Sequence, residues 1–225
     1  MKCDNLGTKE EIPMKSQAGK VFSIAENNPS VPGCTISSKE NDQLYTFSLA
    51  PETSISEETY ARSKLWLMMK GTMEVTNHHE VIATLHEGDL YSLPLHTPIG
   101  VIAKEEAIYV ECEGGETMNA VTAGQVMALK DLVPYQEGKI INRDIINNET
   151  TKFVIMSFDA GTGLSEHAAP GDALIFALDG EAIITYEGVE HRIHAGENFK
   201  FDHNGRHAVT ADHQFKMALL IELAD

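Results

Sequence analysis

The chain has 225 residues, a formal charge of -17 and 42% hydrophobic side chains. This is ordinary globular composition, long enough for one large or two small cores. So acidic a chain would repel phosphate backbones and anionic lipid, which argues against nucleic acid and membrane surfaces as partners.

Residues 1–19 fall in a polar opening stretch, MKCDNLGTKEEIPMKSQAGK, with no apolar centre of the kind a secretion signal needs, and read as an N-terminal extension. No segment approaches the ~18 apolar residues of a membrane span. Cys3, Cys34 and Cys112 are odd in number and widely spaced, which suits a reducing compartment, and the expected location is the cytoplasm. Farther along, LWLMM (Leu65–Met69) is apolar on both strand parities. Both faces should therefore be covered, one by a barrel interior and the other by a second sheet or subunit. NHH (Asn77–His79) reads as a hairpin turn, in which neighbouring side chains point to opposite sides, so it is not a metal site. Cys112, in YVECEG, has no cationic neighbour to activate it. Only TAGQVMALKDLV has helical character, and it joins two halves. Beyond it KFVIMSF, EAIITYEG, HRIHAGENFKF and FKMALLIEL read as short strands, and ALIFAL is again apolar on both parities.

The halves repeat each other. Leu44–Gly71 aligns with Phe153–Gly180 without a gap, placing Ser56-Glu57 on Ser165-Glu166, Leu65 on Leu174 and Gly71 on Gly180. Upstream, the segment from Gly19 falls on the one from Gly124, and downstream EGDLYSLP resembles AGENFKFD. Three matches in one order indicate a duplicated domain. The expected units are residues 20–115 and 116–225, all-β, each a sandwich or barrel of short strands.

Two stretches of the second half give the family resemblance. In GTGLSEHAAPGDALIFALDG, Gly161, His167 and Gly180 fit the cupin pattern G-x5-H-x-H-x3-4-E-x6-G. In GENFKFDHNGRH, Gly196 and His207 fit G-x5-P-x-G-x2-H-x3-N. The chain thus resembles a two-domain cupin, which implies two tandem jelly-roll (double-stranded β-helix) barrels with any metal near one end of a barrel interior. The departures are specific. Ala169 stands at the second histidine position, Ala173 or Leu174 at the glutamate, and Asp202, Asn204 and Ala211 at the proline, glycine and asparagine. In the first half Glu58, Tyr60, Lys64 and Ile99 occupy the places of His167, Ala169, Ala173 and His207. Pro94 keeps the proline there, and His96 takes the glycine place.

Two imidazoles, His167 and His207, are candidate metal ligands. A catalytic zinc keeps three protein ligands, and a non-haem iron site uses two histidines and a carboxylate. The third ligand would be Asp172, one residue out of register unless a bulge realigns it, or His191, which shares the parity of Ile193. Zinc, iron, manganese or nickel would be the divalent metal. Without one, His167, His207, His191 and Asp172 line a small-molecule pocket. His194, His203 and His213 are expected in exposed turns, Glu58 and Lys64 at a solvated rim, and Trp66 in core or interface packing. The leading reading is a small-molecule binder using the second barrel. Its competitor is a metal-dependent dioxygenase, isomerase or decarboxylase of the cupin kind. The two-sided apolar strands also lead to the expectation of a homodimer.

Overall fold

The computed structural model describes residues 17–40, 43–114 and 118–223. Most of the expected extension at residues 1–19 lies outside the described residues. The first half opens with β1 (Val21–Phe22) and a one-turn helix, α1 (Ile24–Asn27). It continues through β2 (Thr35–Lys39), β3 (Leu44–Leu49), β4 (Thr53–Thr59), β5 (Lys64–Lys70), β6 (Thr72–Asn77), β7 (Glu80–His86), β8 (Asp89–Ser92), β9 (Pro98–Ala103) and β10 (Ala107–Glu113). The second half repeats the order. β11 (Val126–Ala128) leads into a 3-10 turn at Leu129–Leu132, the outcome for the stretch with helical character. β12 (Ile140–Asn147), β13 (Thr151–Phe158), β14 (Thr162–Ala168), β15 (Gly171–Tyr186), β16 (Val189–His194), β17 (Asn198–Phe201), β18 (Arg206–Ala211) and β19 (Phe215–Leu223) follow.

Each half forms two facing sheets. In the first, the orders are β11-β8-β5-β10-β3-β2 and β4-β9-β6-β7. In the second, β1-β17-β15-β19-β13-β12 faces β14 and β16 paired through β18 and the far end of β15. The long β15 does the work of both β5 and β6, turning at Gly180 where the first half turns at Gly71. Both glycines have left-handed backbones (φ +71° and +76°), and a Cβ on either would lie about 2 Å from a neighbouring carbonyl oxygen. Left-handed residues also recur in matched places elsewhere: Glu52 with Gly161, His78-His79 with Glu187-Gly188, and His96 with Asn204. The duplication is therefore written in backbone conformation as well as in sequence, and the chain is two tandem all-β barrels.

The leaders are exchanged. Val21 and Phe22 pair with Phe199 and Asn198 of the second half, while Val126 to Ala128 pair with Tyr91 to Asp89 of the first. Each barrel thus borrows an edge strand from the segment that introduces the other.

The two-parity strands explain how the halves join. On β5, Trp66 and Met68 enter the interior of the first barrel, with Tyr91, Tyr109 and Val101. Leu65 and Leu67 point the other way, into a core shared by the halves. On β15, Ala173, Ile175 and Ala177 fill the second barrel, while Phe176 joins the shared core with Leu174 and Leu178 packed against it. The second apolar face is covered within one chain, so it does not itself call for a second copy. No helix among the described residues is long and apolar enough to cross a membrane.

Candidate functional site

His167 lies on β14 directly opposite His207 on β18. A strict alternation would turn His167 away from the face that Leu164 presents. The pairing shifts between Leu164 and His167, so a bulge absorbs the odd residue and both side chains share the inner face. The ring centroids are 4.2 Å apart, with the planes inclined by 54°. His207 is buried and stacks on Phe201 at 4.0 Å, whereas His167 is exposed at the barrel mouth.

Each ring is oriented by its own strand. His167 Nδ1 is 2.9 Å from the Ser165 carbonyl oxygen, and His207 Nδ1 is 3.1 Å from that of Gly205. A carbonyl oxygen only accepts, so Nδ1 carries the proton in each ring and donates it. In the neutral form each Nε2 then keeps its lone pair. Burial lowers the pKa of His207, opposed by its bond to Gly205 and reinforced by the charge of His167 when that ring is protonated.

The other two expected members do not join the pair. Asp172 is exposed on the outer face of β15, next to the inward Ala173. It accepts from the His203 N–H at 2.9 Å and lies 3.9 Å from Lys200 Nζ. No bulge realigns it; the irregularity falls instead before His167. His191 does share the inner face with Ile193, but its ring packs on Phe199 at 5.1 Å. Phe199 packs on Phe201 at 5.2 Å, so two phenyl rings separate His191 from His207. Among the described residues no three His, Cys, Asp or Glu side chains group as a metal site. The nearby tautomers suit a metal, but a donor set of two imidazoles is one short of a zinc or iron site. The residues present do not fit the metal that the resemblance implies.

His194, His203 and His213 are exposed, with His194 held by Glu197 and Glu181. His78 and His79 form the β6–β7 turn. Cys112 is buried in the shared core, where burial pushes its thiol up to about 12.

The first barrel differs from expectation. Glu58 is exposed at the rim, but Lys64 turns inward and pairs with Glu111, a buried residue not singled out from the sequence. The other Glu111 oxygen accepts from the indole N–H of Trp66 at 2.8 Å. Around them is a cavity of about 140 Å³ that also touches Phe47, Tyr60 and Tyr109. The available sequence signal was the shared parity of Lys64 and Trp66. Their partner lies 47 positions from Lys64, too distant for local pattern to connect.

Residues 154–221 match the cupin domain family. A comparison with curated proteins finds no match. Among solved structures, a cupin 2 conserved barrel domain protein from Leptotrichia buccalis is 25% identical, with a TM-score of 0.80 over 93% of this chain and 99% of that one. Salicylate 1,2-dioxygenase from Pseudaminobacter salicylatoxidans is 10% identical, with a TM-score of 0.61 over 84% of this chain and 76% of that one, a likeness of fold alone. The chain has the cupin fold.

Proposed function

We propose that the chain is a small-molecule binder whose second barrel presents His167 and His207 as a paired hydrogen-bond acceptor. The observation that supports this is the pair itself: two rings 4.2 Å apart, each with its proton committed to a backbone carbonyl. Two Nε2 lone pairs on facing rings suit a ligand bearing hydroxyl or N–H donors, and they offer nothing to an anion. Phe201, fully buried, stacks on His207 and backs the pair with apolar core. Because burial disfavours the charged form of His207, that ring's acceptor state is favoured and is lost as the pH falls.

The test is a titration of 15N-labelled full-length protein with ethylene glycol and catechol, following the imidazole nitrogen resonances. Saturable shifts confined to His167 and His207, abolished in the partner ring by His167→Ala, are the expected result. Unmoved resonances across both compounds would sink the reading. Elemental analysis addresses the competing enzyme reading. Stoichiometric zinc, iron, manganese or nickel that disappears in His167→Ala would favour a metal-dependent dioxygenase, isomerase or decarboxylase instead.

A further inference from the structure

The first barrel contains a separate cavity, and its lining restricts what it can hold. Its volume is about 140 Å³. An apolar protein cavity of about 150 Å³ takes one benzene ring, so this space is the size of a single six-membered ring. Its walls are aromatic. Phe47 and Tyr109 stack at 4.8 Å with planes 3° apart, and Trp66 packs on Tyr109 at 5.4 Å. Ile55, Ile99 and Val101 complete an apolar side, and Gly100 leaves no room for a Cβ, which would meet Thr76 Oγ1 at 2.8 Å.

Lys64 is the cationic donor of the lining. Both Glu111 oxygens are engaged, one by Lys64 and the other by Trp66. Glu111 therefore neutralises and positions Lys64 without offering itself to a ligand. The Lys64 ammonium has three N–H donors. Glu111 is its hydrogen-bond acceptor among the described residues, and the Tyr60 ring centroid lies 4.8 Å from Nζ. Donor capacity remains. Glu58, exposed beside Tyr60 at 3.4 Å from its hydroxyl, makes the lining negative on balance and disfavours an anion.

We propose that the first barrel binds a neutral single-ring molecule whose oxygen accepts a hydrogen bond from Lys64 and whose ring packs among Trp66, Tyr60 and Tyr109. This site is independent of the imidazole pair. In the second barrel Lys64, Trp66 and Glu111 are replaced at matched register by Ala173, Ile175 and Leu219.

Trp66 is the only tryptophan in the chain, so its emission reports on this cavity. Benzyl alcohol added to the full-length protein should change that emission saturably. Val101→Phe, which fills the cavity, should abolish the change in a variant shown folded by circular dichroism. Lys64→Met with Glu111→Gln removes the ammonium yet keeps an acceptor for the indole N–H, and it should weaken binding about three- to tenfold. Benzoate should bind about tenfold more weakly than benzyl alcohol, for one unfavourable charge. His167→Ala should leave the response intact, which separates failure here from failure of the second-barrel reading. A wild-type protein without a saturable change, a Val101→Phe protein that responds like wild type, or benzoate binding more tightly than benzyl alcohol would each overturn the proposal.

Discussion

The two barrels share a backbone and differ in where they keep polarity. In the first, polar side chains line the six-stranded sheet: Lys64 and Trp66 on β5, Glu111 on β10. In the second, the same positions are Ala173, Ile175 and Leu219, and the polar residues lie on the opposite wall as His167 and His207. The His167–His207 pairing corresponds to Glu58 opposite Ile99 in the first barrel, with a bulge at the same place in both strands. A duplicated fold therefore holds its geometry through glycines and bulges while the side chains facing the interior diverge. One barrel offers a donor, the other a pair of acceptors.

The shared backbone is the firmest part of that comparison, and breaking it should cost most. Gly71→Ala and Gly180→Ala each force a left-handed alanine against a carbonyl, 1.9 Å from Glu106 O and 2.0 Å from Gln214 O. Each should lose about 4 kcal/mol, more than left-handed strain alone would give, measured by urea denaturation. Equal losses support equivalence of the barrels, and a tolerated alanine at either glycine breaks it. Next comes the feature confined to the first barrel. Glu111→Ala leaves a half-buried ammonium and a buried indole N–H without their acceptor, so it should lose about 3 kcal/mol. Lys64→Met with Glu111→Gln should recover most of this, and a fully additive double variant would show the two residues uncoupled.

The second barrel carries a pH signature at His207. The lowered pKa of His207 means the folded protein takes up this proton less readily than the unfolded chain. Its contribution is present above the unfolded value of about 6.5 and is lost as the pH falls below it toward the lowered folded value. His207→Leu should flatten that part of the stability profile; an unchanged acid slope would remove the assignment. The smallest effect belongs to His167→Ala, exposed at the mouth, which should leave thermal stability unaltered while removing the second-barrel ligand response.

Much of the architecture was legible because duplication and two-parity strands are local patterns. Gly71 over Gly180, and LWLMM over ALIFAL, implied paired barrels with both strand faces covered. The inward face of His191 followed from Ile193, and the outward face of Asp172 from its register. What was not legible depends on pairing across the chain. The bulge that turns His167 inward depends on β18, some 40 residues away in the sequence. Lys64 was expected at a wet rim because its partner, Glu111, comes from a strand that pairs only after folding. The aromatic cavity rests on β3, β5 and β10 together, and no single stretch announces it.

The borrowed edge strands set an order on synthesis. While the chain emerges N-terminus first, β8 has no outer neighbour until residues 126–128 have followed, and β1 has nothing to pair with until residues 198–201 appear. The earlier barrel therefore leaves the ribosome with an open flank that its own half cannot close. A nascent chain halted after β10 should carry that unsealed flank and invite chaperones or a neighbouring nascent chain to cover it.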